Sequence, residues 1–169
     1  MAGVTVTLRR ARLEENLAAA GLEIPMGVAL AAGGAVVFAD AGAGKVCSLS
    51  GSVVSELARD LDKPSGVAVG ADGTVFASLP DQGRIVKIAK GKTDTFADGL
   101  GRPEGLAVRG GRLYALDTRG KTLIEFDIDS GARRNLAETL PVGAPAGVVP
   151  LRLGGVGDMC GPMWTFGGL

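Results

Sequence analysis

Charged side chains gather where the apolar runs of this chain end. Asp40 is followed by Lys45, Asp81 and Gln82 by Arg84, and Asp117 by Arg119 and Lys121. Oxygen acceptors beside fixed cations suit charge-assisted binding of a small polar ligand or a protein segment. Arg102 and Glu104, on either side of Pro103, add one more cation and carboxylate. Neighbouring charges of this kind also satisfy each other in a local ion pair worth under about 1 kcal/mol. An Asp that closes a strand has a plain structural use as well, because its oxygens accept N–H groups of the following turn. Asp40 and Asp117 fit that use first. The candidate ligand-binding set is Asp40, Lys45, Asp81, Arg84, Arg102, Glu104, Asp117 and Arg119.

Catalysis finds little to work with. The 169 residues include no His. That excludes a His general base, a Ser-His-Asp triad completed within the chain, and His-ligated zinc. Cys47 and Cys160 stand 113 positions apart, with no Cys-x-x-Cys spacing, so a zinc knuckle or thioredoxin-type motif is excluded. Two cysteines do not make a cysteine-dense scaffold, and nothing supports a disulfide. Cys47 is expected within a strand and Cys160 in a loop. The run Ala41-Gly42-Ala43-Gly44-Lys45 lacks phosphate-loop spacing and leads into a strand rather than a helix. No residue is singled out as catalytic, and the chain by itself leans away from being an enzyme.

Charge and hydropathy exclude further classes. Lys and Arg number 18, Asp and Glu 18, and the net charge is +0. Bulk attraction to nucleic acid or an anionic membrane is thereby absent. No apolar stretch approaches the roughly 20 residues of a membrane-spanning helix. The stretch Met1 to Ala20 carries Arg9, Arg10, Arg12, Glu14 and Glu15 and lacks the unbroken apolar core of a signal peptide. The compartment stays open, with the cytoplasm as the default expectation.

The elements that must position these charges come from a repeat. Pro25, Pro64 and Pro103 are spaced by 39 residues twice. Each is followed by Gly27-Val28-Ala29, Gly66-Val67-Ala68 or Gly105-Leu106-Ala107. A fixed period near 40 with strand-like content signals propeller blades. Each unit divides into four short strands. Gly33-Gly34, Asp72-Gly73 and Gly110-Gly111 mark the first hairpin, where two residues at positive φ match the twist of paired strands. Strand two covers Ala35 to Ala39, Thr74 to Ser78 and Arg112 to Leu116, and strand three covers Lys45 to Leu49, Arg84 to Ala89 and Lys121 to Asp127. Gly51-Ser52, Lys90-Gly91 and Asp129-Ser130-Gly131 turn the chain into strand four. Inner strands such as Val36-Val37-Phe38 and Leu113-Tyr114-Ala115 are apolar throughout, as strands packed on both faces are. Lys92 to Phe96 is more polar, as an outer strand should be.

The composition, 46% hydrophobic and 21% charged with 28 Gly, is globular and turn-rich. The fold class is therefore all-β, with three four-stranded antiparallel units over 22–60, 61–99 and 100–140. An N-terminal extension, 1–21, is expected as a short helix over Leu8 to Ala20 or as the last strand of a preceding unit. Residues 141–169 form a Pro/Gly-rich tail or an incomplete next unit. That unit restarts at Pro145-Ala146-Gly147-Val148 or at Phe166-Gly167-Gly168-Leu169. Met163, Trp164 and Phe166 are expected to pack on an adjacent unit.

The block Pro-x-Gly-[Val/Leu]-Ala, then a Gly-rich turn, an apolar strand closing near Asp, and Lys or Arg before the next apolar strand resembles NHL repeats. It is also similar to the gluconolactonase-like, senescence-marker-type propellers. The likeness covers residues 22–140 and departs at Ser78, where the Asp40 and Asp117 positions carry Asp. It implies a six-bladed propeller of which this chain holds part. It also implies two kinds of activity: a non-catalytic module that binds a protein or small polar ligand, or part of a metal-dependent lactonase-like hydrolase whose active-site residues lie mostly outside the chain. The second would hold a divalent metal through Glu, Asn and Asp oxygens, as hard oxygen ligands suit. Glu23-Ile24-Pro25 loosely matches the Glu-x-Pro of that family, which makes Glu23 a weak metal candidate; no complete metal site or cofactor is expected in this chain. Three units fall short of the four that closure needs. A longer parent protein is the favoured explanation. A homodimer closing a six-bladed ring and an open array are the others.

Overall fold

The computed structural model describes residues 22–141. Over that span the chain folds as three consecutive four-stranded antiparallel sheets. The first blade is β1 (Pro25–Leu30), β2 (Val36–Asp40), β3 (Lys45–Ser50) and β4 (Val53–Ala58). The second is β5 (Val67–Val69), β6 (Val75–Leu79), β7 (Arg84–Ala89) and β8 (Lys92–Ala97), with a 3-10 turn at Pro80–Gln82 between β6 and β7. The third is β9 (Pro103–Arg109), β10 (Arg112–Asp117), β11 (Thr122–Asp127) and β12 (Arg133–Ala137). Each sheet is a meander, with every strand paired to its sequence neighbour. This is an all-β partial propeller of three blades. The Leu8–Ala20 segment, Cys160, Trp164 and both restart sites of a further unit lie outside the described residues.

The hairpins follow from turn chemistry. Gly110 and Gly111 both have positive φ, and Arg109 pairs directly with Arg112 across them. Asp72-Gly73 departs from the two-residue turn expected there: Gly73 has positive φ and Asp72 does not. Gly73 N–H instead bonds back to the Gly70 carbonyl at 3.0 Å, while the Asp72 carboxylate accepts from the Thr74 N–H and hydroxyl at 3.1 and 2.7 Å. The Asp side chain closes the turn on itself, so its backbone has no need of the left-handed region.

Alternation along the strands creates two faces per blade, and both faces of the middle blade are buried. Val67, Val75, Ala77, Leu79, Val86 and Ile88 pack against Val37, Ala39, Val46 and Ala58 of the first blade. On its other face Ala68, Phe76 and Ile85 meet Leu113, Ala115, Ile124 and Phe126 of the third. Phe96 sits edge-on between Phe76 and Phe126, with ring centroids 5.0 and 5.7 Å away. Such pairs add about 0.5–1.5 kcal/mol each beyond their buried area. The first strands converge: β1 packs beside β5, and β5 beside β9. The outermost strands β8 and β12 are mostly exposed.

Candidate binding cleft at the inner strands

The convergence of β1, β5 and β9 depends on the Pro-x-Gly blocks. A Cβ on Gly27 would stand 2.5 Å from the Ser65 carbonyl oxygen, and one on Gly66 would overlap the Glu104 carbonyl oxygen outright. Only hydrogen fits there. Gly27 N–H donates to the Ser65 carbonyl at 2.9 Å, and the Ser78 hydroxyl donates to the Glu104 carbonyl at 2.9 Å. In both cases the acceptor is the carbonyl of the residue that follows the next blade's proline. Ser78 also accepts the Gly66 N–H at 2.8 Å. The register also corrects the repeat alignment: Leu79, opposite Arg84, holds the place that Asp40 and Asp117 hold opposite Lys45 and Thr122, and Ser78 stands at the position of Ala39 and Leu116.

Asp40 and Asp117 perform a related task within their own blades. Asp40 is fully buried. Its Oδ1 accepts the N–H groups of Ile24 at 2.8 Å and Ala43 at 3.2 Å, and its Oδ2 accepts that of Glu23 at 2.9 Å. Asp117 accepts from Gly101, Arg102 and Gly120 at 2.6, 2.7 and 2.8 Å. Burial pushes both carboxyls up, but the surrounding backbone N–H groups outweigh it and hold both below the ordinary Asp value. Each carboxylate ties the segment leading into its blade to the turn after strand two.

These anchors place the residues flanking each proline around one cleft of about 690 Å³. Ile24 and Met26 come from the first blade, Lys63 and Ser65 from the second, Arg102 and Glu104 from the third, with Asp81 reaching in from the 3-10 turn. Lys63 Nζ lies 3.2 Å from Asp81 Oδ2, Arg102 Nη1 lies 2.7 Å from Asp81 Oδ1, and Arg102 Nε lies 2.9 Å from Glu104 Oε1. This alternating chain of four charges crosses from the second blade to the third. Hydrogen bonds from Lys63 and then Arg102 hold the Asp81 carboxyl below its usual range. Beside it stand the half-exposed Ile24 and Met26. The cleft therefore offers an apolar wall and a polarised rim to a ligand.

The sequence-derived candidates divide accordingly. Asp81, Arg102 and Glu104 come together. Asp40 and Asp117 stand beneath them with their oxygens taken up by backbone. Lys45 pairs with Glu56 at 3.2 Å on the flank of the first blade. Arg84 is half-buried at the start of β7, where its Nε has no hydrogen-bond partner. Arg119 is exposed beside Gly101. Glu23 is exposed too, its side-chain stem lying where a Cβ on Gly42 would be. Ile24, Met26, Lys63 and Ser65 were not among the candidates. Their signal was the repeat itself, because they occupy the positions of Arg102 and Glu104 around Pro25 and Pro64. Among the described residues no group of three or more His, Cys, Asp or Glu could hold a metal ion. No helix among them is long and apolar enough to cross a membrane.

The fold and its axis-side cleft define the class: the chain is a β-propeller protein. No family model matches the chain, and no curated protein matches it in sequence. Solved structures do match. One is a chain of a nidogen/laminin complex, with a TM-score of 0.63 and 24% identity, covering 68% of this chain and 48% of that one. Virginiamycin B lyase from Staphylococcus aureus matches with a TM-score of 0.60 and 16% identity, over 69% of this chain and 42% of the lyase. A gluconolactonase from Xanthomonas campestris gives 0.61 and 16%, over 69% and 48%. Likeness at such identities establishes the fold. The chain spans less than half the length of these propellers.

Proposed function

We propose that the chain is a propeller binding module that holds a protein segment or a small polar ligand in the cleft between its inner strands. The observation that carries this reading is the meeting of Ile24 and Met26 with the Lys63–Asp81–Arg102–Glu104 charge chain in one cleft. Concave sites that combine apolar walls with a few convergent polar groups are the usual place for ligands. The nidogen/laminin match supports it, since that propeller was crystallised in a complex with another protein. The test is an amide-resolved NMR titration against two probe sets, short peptides and small sugar acids. Binding should shift the amides of Lys63, Asp81 and Arg102. Shifts confined to the outer strands β8 and β12 would contradict it.

The likeness in fold to a gluconolactonase favours one second reading, that the chain is part of a metal-dependent lactonase-like hydrolase. Glu23 would then be its contribution to a metal site completed by residues elsewhere. EDTA-sensitive hydrolysis of a sugar lactone, lost in Glu23→Gln, would favour this reading. Absence of turnover with calcium, magnesium, manganese and zinc, and no change of melting temperature with any of them, would count against it.

A further inference from the structure

We infer that the seam between the second and third blades holds a second binding site, which takes a neutral sugar in the room that Thr122 leaves. This goes beyond the inner cleft and stands on a comparison of the three repeats. The residue that opens strand three, opposite the end of strand two, is Lys45, Arg84 and Thr122 in turn. Glu56, Thr95 and Asn135 hold the matching place on strand four. In the first blade Lys45 reaches Glu56 at 3.2 Å. In the second, Arg84 leaves its strand on the same face as Val86 and Ile88, which pack on the first blade, and its Nε is buried. The third blade carries two short neutral side chains, Thr122 and Asn135, in place of the long cation and its partner. Lys121 supplies no replacement. It is exposed and stands at positive φ where Gly44 and Gly83 stand in the other blades. The Leu61, Leu100 and Leu140 N–H groups donate to the carbonyls of Gly44, Gly83 and Lys121 in turn.

A cavity of about 430 Å³ opens at this place, lined by Leu100, Asp117, Thr122, Ile124, Arg133 and Asn135. Its size falls within the roughly 300–1,000 Å³ of small-molecule sites. Donors and acceptors alternate around it. Asp117 is 4% exposed. Its Oδ1 accepts from Arg102 and Gly120, and its Oδ2 from Gly101 alone. A carboxylate offers about four acceptor positions, so Oδ2 keeps one. Arg133 Nη1 donates to the Asp98 carbonyl at 3.3 Å, and the guanidinium has further N–H groups to give. Asn135 Nδ2 donates to Glu138 at 2.9 Å, while its carbonyl oxygen can accept and the Thr122 hydroxyl can do either. An anion entering here meets Asp117, and a cation meets Arg133. Neutral hydroxyl groups, which both donate and accept, suit the mixture. Leu100 and Ile124 form an apolar floor for the C–H face of a sugar ring.

The experiment is saturation-transfer NMR of glucose, galactose and N-acetylglucosamine, each with the full chain and with three variants. At least one sugar should take up saturation from the wild type. Thr122→Arg puts the second blade's side chain into the cavity and should weaken that binding about tenfold or more. Asn135→Ala, on an exposed stretch of β12, should weaken it about two- to tenfold, as loss of a neutral hydrogen bond does. Circular dichroism should stay that of the wild type in both. No saturation from any of the three sugars would overturn the inference. So would binding that is unchanged in Thr122→Arg and Asn135→Ala, and so would binding lost only in Arg102→Ala, which places the sugar in the inner cleft. Inorganic phosphate that shifts the Thr122 and Asn135 amides where sugars do not would mark an anion site and overturn it as well.

Discussion

A buried carboxylate that accepts three backbone N–H groups is worth more to stability than an exposed ion pair, and this ranks the charged residues of the chain. Asp117→Ala leaves the N–H groups of Gly101, Arg102 and Gly120 without their acceptor and should cost ~1–3 kcal/mol or more in urea unfolding. Arg119→Ala, at an exposed site, should stay within about 0.5 kcal/mol. Ser78→Asp should also destabilise, because it sets a carboxylate against the Glu104 carbonyl that the hydroxyl now serves. The same carboxylates set the acid response. Asp40 and Asp117 titrate below the ordinary Asp value in the folded state, because backbone N–H groups hold their charged forms. The unfolded chain therefore takes up protons first, and the stability they contribute is present above about pH 4 and lost as pH falls through the folded values. With no His in the chain, melting temperature should be nearly flat from about pH 5.5 to 8. A thermal scan across pH checks both limbs. The sequence made the capping role of Asp40 and Asp117 legible, since an Asp closing an apolar run is turn chemistry. It did not make legible that each also secures the segment before its blade, because the bonds to Ile24 and Arg102 span 16 and 15 residues.

At the scale of the blade, one glycine per repeat decides whether neighbouring sheets can meet. Gly66→Ala forces a methyl into the Glu104 carbonyl. It should lower the melting temperature by several degrees, as overpacking by ~1–3 kcal/mol does, and broaden the transition by uncoupling the second and third blades. Differential scanning calorimetry reads both. Strand order and hairpin positions were open to a reading of the 39-residue period, because each strand is a short apolar run between Gly-rich turns. The purpose of the Pro-x-Gly block was not, since its contacts are made between repeats and local patterning carries no trace of them. Asp81, Arg102 and Glu104 were legible as charged loop residues, but Ile24, Met26, Lys63 and Ser65 were lost for the same reason. Asp62-Lys63-Pro64 has the look of an ordinary turn, yet Lys63 ends 3.2 Å from Asp81, 18 residues on.

At the scale of the whole molecule, repetition turns a local motif into a site. Three prolines at one spacing deliver their flanking residues to one cleft, and differences among those residues give it an apolar side and a charged side. The charge chain across it is exposed and should add little to stability: Asp81→Ala should cost no more than ~1 kcal/mol. Its weight should fall on recognition. The most direct measurement is calorimetric titration of the first ligand identified in the NMR screen against wild type, Arg102→Ala and Lys92→Ala. Arg102 lies in the cleft, and Lys92 is exposed on β8. Arg102→Ala should weaken binding tenfold or more, ~1.4 kcal/mol, and Lys92→Ala should leave it unchanged. Equal affinity in all three proteins would contradict the assignment of the cleft.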